Sequence, residues 1–256
     1  MSASELPQSL KTNPRLDRWV RFNGDGTVTV FSGKVEIGQG IVTAIAQIAA
    51  EELGIAPALL SIVAGDTSAA PDEWYTAGSQ SIEVGGAAMR LACAEARELF
   101  REAAAREFEV QADDVQLRSG AFEVPGTDLR RTYWQLADKV SLARDASGRA
   151  KPKAPSAHTV VGTSAPRRDI PAKVTGAAYV HDMTLPGMVY ARVVHPPTYQ
   201  SRLVAFDEAA LGNAAGLVAV GAALVAVGVG SAAAQAATSV ARAADKPNSS
   251  RVFLIK

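Results

Sequence analysis

Two helix-periodic apolar segments, each directly preceded by a glycine-rich loop, constrain the fold of this chain more than any other feature. The spacing of apolar residues predicts a helix from Ile41, after loop 33–40, and a longer helix from near Ile82, after loop 76–81. A glycine pair at 85–86 would let the second helix pack tightly against a neighbour. Small residues before a helix expose main-chain N–H groups, so both loops are candidates for contacting an anionic ligand. Glycine in such a place is more often only a turn, and Ser or Thr only an N-cap.

Strand patterns lie between and after these helices. Apolar residues alternate on both sides of the Asn-Gly-Asp-Gly run at 23–26, which predicts a hairpin. Segment 61–64 predicts a further strand, and 115–124, centred on a Ser-Gly pair, predicts a second hairpin. Thr132 and Gln135 fit a capping box that opens a short helix. The mixture predicts an α+β fold.

Changes in composition suggest how the chain is divided. We predict a flexible arm over 1–14, a first domain over 15–142, a linker over 143–157 and a second domain over 158–256. Gly, Pro and Ser mark the linker. The second domain contains two strand patterns, at 177–180 and 188–194. The ending 248–256 shows no pattern that we can interpret.

Charge and cysteine content exclude several classes of protein. Lys plus Arg and Asp plus Glu both number 26, so the net charge of zero favours neither nucleic acid nor an anionic membrane surface. The single cysteine, Cys93, excludes an internal disulfide and an iron–sulfur cluster held by this chain alone. Cys93 falls on an apolar stripe and is expected in the core. The three histidines have no metal-ligand spacing, so no metal site is predicted.

Targeting and membrane signals are weak. Residues 1–10 contain no apolar run long enough for a signal peptide, so we expect a cytoplasmic protein. The apolar stretch 214–229 is shorter than the roughly 20 residues that a spanning helix needs, and three glycines interrupt it. Buried strands are therefore favoured over a membrane helix there.

Three blocks together resemble the xanthine dehydrogenase and aldehyde oxidase family of molybdenum hydroxylases. The first is Gly-Lys-Val-Glu-Ile-Gly-Gln-Gly at 33–40, and the second is Thr-Ala-Gly-Ser-Gln-Ser at 76–81. The third, within 168–197, resembles the opening of the family's hammerhead domain. The hammerhead commonly precedes the Gly-Gln-Gly loop in that family. Here it follows, as in the branch that contains the isoquinoline 1-oxidoreductase beta subunit and nicotinate-type dehydrogenases.

The resemblance implies a molybdopterin-binding domain portion over 15–142 and a partial hammerhead domain over 158–256. It implies a molybdenum–molybdopterin cofactor and leaves open whether that cofactor is the cytosine dinucleotide form. The pterin near the metal would contact Gly38, Gln39 and Gly40. Its phosphate or nucleotide end would contact Thr76, Ala77, Gly78, Ser79 and Ser81.

The implied reaction is hydroxylation of an aldehyde or N-heterocycle with oxygen from water. Electrons would pass to iron–sulfur clusters on a small [2Fe–2S] subunit, and further large-subunit domains would complete the enzyme. The family's catalytic glutamate has no counterpart here, so we predict no catalytic residue and an inactive chain in isolation. Glu36 is expected to orient main chain or to pair with a cation. The alternative is a truncated, non-catalytic fragment or interaction module without cofactor.

Overall fold

In the computed structural model, the described residues are 6–176, 184–186, 188, 190–194, 217–223 and 250–255. The chain divides into two compact units, Met1–Ala177 and Ala178–Lys256. Helices and strands both contribute to the first unit, so the predicted mixture of helix and strand is confirmed. The hammerhead assignment stays a prediction.

The first sheet is built around a central buried strand. It contains β1 (Val20–Phe22), β2 (Val28–Ser32) and β3 (Leu60–Ala64) in that order. Strands β1 and β2 form the predicted antiparallel hairpin, whereas β3 runs parallel to β2. Parallel neighbours need a crossover connection, and helix α2 (Ile41–Leu53) provides it. Loop 33–40 therefore leaves the carboxyl end of β2 and leads directly into α2.

The second long helix begins at the predicted place but with unusual geometry. Residues Ser81–Gly86 form a π-helical turn, which continues as α3 (Ala87–Phe108). A Cβ placed on Gly86 would lie 3.1 Å from Cδ1 of Ile48 in α2. This glycine lets the two helices approach closely, as its position before the apolar stripe predicted. Cys93 is fully buried, and that burial raises the pKa of its thiol well above the ordinary value.

A second, smaller sheet packs against α3. Strands β4 (Gln116–Arg118), β5 (Ala121–Glu123) and β6 (Arg130–Thr132) are antiparallel neighbours in that order. Ser119 and Gly120, with φ of 47° and 75°, form the turn between β4 and β5. The second hairpin is therefore confirmed, together with the positive φ that its turn requires.

The predicted capping box is present after β6. The Thr132 N–H donates to Oε1 of Gln135, and the Gln135 N–H donates to Oγ1 of Thr132.

An aromatic cluster joins both sheets to α3. The buried hydroxyl of Tyr133 donates to the carbonyl oxygen of Leu53 at 2.9 Å. Ring contacts of 4.6–6.5 Å between centroids connect the cluster, which consists of Phe22, Phe100, Phe122 and Tyr133.

Residues 143–161, here called the extended segment, cross α2 and α3 with little regular structure. Three buried carboxylates hold this segment in place. Glu95 of α3 accepts N–H groups from 147–150, and Glu52 of α2 accepts the N–H of Lys153. Glu51 accepts three further N–H groups, from 159–161. The predicted linker 143–157 is thus fixed to the first unit. The division of the chain into domains there stays a prediction.

The N-terminal arm differs from the expectation in its described part. Residues Gln8–Thr12 form a short helix, α1, and Leu10 is fully buried in the core. The buried apolar side chain explains the order of this segment, because a leucine in contact with the core stabilises the turn that carries it.

The described part of the second unit is a three-stranded sheet in the order β7 (Tyr190–Val194), β9 (Ser250–Ile255) and β8 (Leu217–Ala223). The ending without an interpretable pattern thus supplies the central strand. Strand β8 lies inside the apolar stretch 214–229, and no helix in the described part of the chain is long and apolar enough to cross a membrane. The strand predicted at 177–180 falls outside the described residues.

Candidate cofactor site

The two predicted loops lie side by side. The Val35 N–H donates to Oγ1 of Thr76 at 2.9 Å, and the Gly33 N–H donates to Oε2 of Glu73 at 2.8 Å. Nζ of Lys34 donates to the carbonyl oxygens of Glu73 and Tyr75. The structure therefore brings together the two loops that are predicted to contact a ligand, although they are about 40 residues apart in sequence.

Glu36 occupies the start of α2. Its carboxylate accepts the N–H groups of Gly38, Gly40 and Val42 at 2.9, 2.9 and 3.2 Å. Burial raises the pKa of this carboxyl, but the three N–H donors lower it more, so the pKa lies below its ordinary value. The expectation that these N–H groups are open to a ligand is wrong, because an internal carboxylate takes the place of the external anion. The expectation that Glu36 orients main chain is confirmed.

Gln39 folds back on its own loop. Its Oε1 accepts the Ile37 N–H at 2.7 Å, and its Nε2 donates to the carbonyl oxygen of Val35 at 2.9 Å. The amide keeps one N–H and one lone pair for a further partner. A Cβ placed on Gly38, where φ is 107°, would meet no atom within 4 Å. The outer face of this loop is therefore open to a flat ligand.

Arg167 packs over the other face of the loop and was missed by sequence reasoning. Its guanidinium donates to both carboxylate oxygens of Asp169 and to the carbonyl oxygen of Gly38. It also lies 3.4 Å from Oε1 of Glu36. Hydrogen bonds from Arg167 hold the pKa of Asp169 well below its usual range. The Arg-x-Asp spacing was the available signal, since it allows such a fork, but nothing in it indicated the distant loop.

The second loop presents hydroxyl groups. Gly78 and Ser79 both have left-handed backbones, with φ of 62° and 61°, and both are exposed. Within the described parts of the chain, no protein group hydrogen-bonds the hydroxyl of Ser79 or Ser81. The loop leads into the π-helical turn, and turns of this kind occur often at functional sites. All eight predicted cofactor-contacting residues are exposed or half-buried.

Exposed apolar side chains surround both loops. Ile37 is 71% exposed and Trp74 is 72% exposed, which are high values for large apolar residues. Three more exposed apolar residues flank the same loops: Val35, Tyr75 and Ile82. This set of five residues, the loop-flanking apolar surface, is one that a further protein segment or a heterocycle would cover.

A cleft of about 250 Å³ lies between α2, the π-helical turn and the extended segment. Ile48, Ile82, Gly86 and His158 are among the residues that line it, and none of the eight predicted residues does. The cleft is therefore not the predicted site, although the π-helical turn that follows the second loop forms one of its walls. No cluster of His, Cys, Asp or Glu able to hold a metal occurs among the described residues.

Glycine-rich loops in contact with each other, hydroxyls without a described protein partner and a rim of exposed apolar side chains are features typical of a cofactor-binding protein. Residues 3–185 match the molybdopterin cofactor-binding domain family, and the chain belongs to that family. The molybdenum hydroxylase resemblance seen in the sequence is thereby confirmed.

The chain is also similar to parts of several larger proteins. A nicotinate dehydrogenase subunit of Pseudomonas putida is 33% identical over 211 residues, which cover 79% of this chain and 18% of that protein. The isoquinoline 1-oxidoreductase beta subunit of Brevundimonas diminuta is 29% identical, covering 77% of this chain and 30% of that one. The CO dehydrogenase structure from Oligotropha carboxidovorans is 34% identical with a TM-score of 0.43, covering 46% of this chain and 15% of that chain. This chain therefore spans less than a third of the length of these relatives.

Proposed function

We propose that this chain holds one face of a molybdenum–molybdopterin cofactor in an oxidoreductase that hydroxylates an aldehyde or an N-heterocycle. The observation that carries the proposal is the contact between loops 33–40 and 76–81, since a single ligand could then reach both loops at the starts of α2 and of the π-helical turn. When bound, the molybdenum centre would supply hydroxylation of a carbon next to nitrogen or oxygen, with water as the oxygen source.

The first loop would hold the pterin near the metal. Gln39 would donate and accept with the free half of its amide, because the other half is fixed to loop main chain. Gly38 would allow the ring to approach closely, since a side chain there would fill the open space above the loop. Glu36 and Arg167 would keep the loop in shape without contacting the ring.

The second loop would hold the phosphate or nucleotide end. Ser79 and Ser81 would donate their hydroxyls, and the main chain of Thr76, Ala77 and Gly78 would come close to the phosphate. The start of a long helix favours negative charge there. The cytosine dinucleotide form is compatible with this loop, because the described residues leave Ala77, Gly78 and Ser79 exposed.

Further protein would complete the enzyme. We propose that other segments of the large subunit cover the loop-flanking apolar surface, since large apolar patches of this kind mark interaction sites. A small [2Fe–2S] subunit would accept the electrons, because one buried cysteine cannot hold a cluster. The same proposal keeps 158–256 as part of a hammerhead domain and places the complex in the cytoplasm.

The proposal is tested by producing the chain together with the products of its neighbouring genes and measuring molybdenum and pterin in the purified complex. We expect stoichiometric molybdenum in the wild type and its loss in Gly40→Val, because φ is 88° there and a Cβ would lie 3.2 Å from Cδ of Arg167. Gly126→Val is the matched control, since φ is 80° there and the space around it is open. A well-folded wild-type complex without molybdenum or pterin would refute the proposal and favour the non-catalytic alternative.

A further inference from the structure

Lys34 and Glu73 are two buried charged residues in and beside the proposed cofactor loops, and the proposed function does not use either of them. Lys34 has no exposed side-chain surface, and Glu73 is 5% exposed. Burying a charged group is costly unless it is well hydrogen-bonded. The burial of two such groups within and next to exposed loops therefore needs an explanation other than the stability of the hydrophobic core.

Each of the two side chains hydrogen-bonds to the segment that carries the other. Lys34 belongs to the first loop, and its Nζ donates to the carbonyl oxygens of Glu73 and Tyr75 at 2.7 and 2.9 Å. Glu73 lies just before the second loop, and its Oε2 accepts hydrogen bonds from the hydroxyl of Ser32 and the N–H of Gly33 at 2.9 and 2.8 Å. The first loop and the segment that leads into the second loop are thus each bonded to a charged side chain of the other.

The backbone at 73–75, just before the second loop, is shaped to accept hydrogen bonds from Lys34. Trp74 lies between the two carbonyl oxygens that accept from Nζ, and its φ is 60°. A bulky residue in the left-handed region is strained, and such strain persists only where the surrounding contacts hold it. Because the Trp74 side chain is largely exposed, its own packing does not hold it. The ammonium of Lys34 is the group that holds both flanking carbonyls.

The helix that follows the second loop is part of the same arrangement. A Cβ on Gly85 would lie 2.6 Å from Oε1 of Glu73 and 3.3 Å from Cγ of Lys34. Oε1 is buried and has no hydrogen-bond partner among the described residues. Glycine at this position of the π-helical turn therefore lets the carboxylate and the lysine stem fit between the loops and the helix.

We propose that Lys34 and Glu73 are positioning residues: a reciprocal clamp that fixes the two loops at a set separation before any ligand arrives. This inference rests on the proposed function for its purpose, since the fixed separation would match the two ends of one pterin cofactor. Preorganised loops bind more tightly because they lose less conformational freedom on binding. The clamp itself is a property of the chain without ligand.

Amide hydrogen exchange of the full chain tests the clamp directly. The N–H groups of Gly33 and Val35 donate across the two loops, so they report the joining. In Lys34→Met we expect both to exchange at least tenfold faster, while amides in the middle of α3 keep their protection. Lys151→Met is the matched control, because Lys151 is exposed, and it should leave all of these rates unchanged.

The double variant Lys34→Met/Glu73→Gln covers the case in which a single variant fails to fold. It leaves no uncompensated buried charge, so its thermal unfolding midpoint should lie close to that of the wild type. We still expect fast exchange at Gly33 and Val35 and at least a fivefold drop in molybdenum content of the co-produced complex. Wild-type exchange rates in this folded variant would overturn the clamp.

Molybdenum content separates this inference from the proposed function. A wild-type complex without molybdenum would refute the function, whereas the exchange rates of the Lys34→Met/Glu73→Gln variant would still decide whether the clamp exists. Fast exchange combined with full molybdenum content would overturn the positioning role.

Discussion

Replacing Glu51 by glutamine should release the extended segment from α2. The Glu51 side chain is 1% exposed, and its Oε2 accepts the N–H groups of Thr159, Val160 and Val161 at 2.7, 2.6 and 3.1 Å. Nζ of Lys153 donates to its Oε1 at 3.1 Å. Burial alone raises the pKa of this carboxyl. The four donors lower the pKa by more than burial raises it, so the pKa falls from an ordinary 4.5 to about 2.

The difference in pKa gives the magnitude. At about 1.4 kcal/mol for each pKa unit, a fall from 4.5 to about 2 corresponds to at most roughly 3.5 kcal/mol of folding free energy. Because the folded pKa lies below the unfolded one, this stabilisation is fully present above pH 4.5 and is lost as the pH falls towards 2. Glu51→Gln lacks the charge at every pH, so it should lack this dependence as well.

Urea unfolding at a series of pH values between 7 and 3 measures the effect. We expect Glu51→Gln to lower the free energy of unfolding by about 2–3 kcal/mol at pH 7, and the difference from wild type to shrink towards pH 3. Glu83→Gln is the control, since Glu83 is exposed and should change the stability by less than about 0.5 kcal/mol. A difference for Glu51→Gln that is below about 0.5 kcal/mol, or that does not change with pH, would refute the reasoning.

Three further substitutions test separate parts of the structure. Ser79→Ala should weaken cofactor retention by about 1–2 kcal/mol without changing the unfolding midpoint, since its hydroxyl has no partner among the described residues; unchanged retention on titration with a chelator would contradict this. Tyr133→Phe removes a buried hydrogen bond and should cost about 1–2 kcal/mol in urea unfolding, with an unchanged value as the contrary result. Gly54→Ala should destabilise more than Gly26→Ala, because both have positive φ but only the first Cβ would lie 2.9 Å from Leu117; equal unfolding midpoints would show that the contact is harmless.

Much of the fold could be predicted because its signals are local. The turn residues at 23–26 and at Ser119-Gly120 each determine a hairpin, and the apolar period determines both long helices. The parallel pairing of β2 with β3 could not be read in this way. It depends on a crossover through α2, and no residue type in the strands distinguishes a parallel neighbour from an antiparallel one.

The positions of the two glycine-rich loops could be predicted, but the contacts that hold them could not. Glycine before a helix correctly indicated two loops, and the Thr76 contact joins them. The sequence could not show that the Glu36 carboxylate would occupy the N–H groups at the start of α2. Nor could it show that Lys34 would be buried, since a lysine in a glycine-rich loop is ordinarily solvated. Both outcomes depend on contacts between residues of different segments, for which a single sequence carries no signal.

Buried carboxylates follow one rule throughout this unit: each accepts main-chain N–H groups that no helix or sheet would otherwise satisfy. Glu36 and Glu73 do so for the first glycine-rich loop, and Glu51, Glu52 and Glu95 do so for the extended segment. Arg167, which follows that segment, packs over the face of the first loop opposite its open outer face. Loops without regular structure obtain defined positions in this way, and their outer faces stay exposed. A ligand that binds main chain in both loops requires this combination. The buried side chains fix the positions of the loops, and the glycines leave the outer faces free for the ligand.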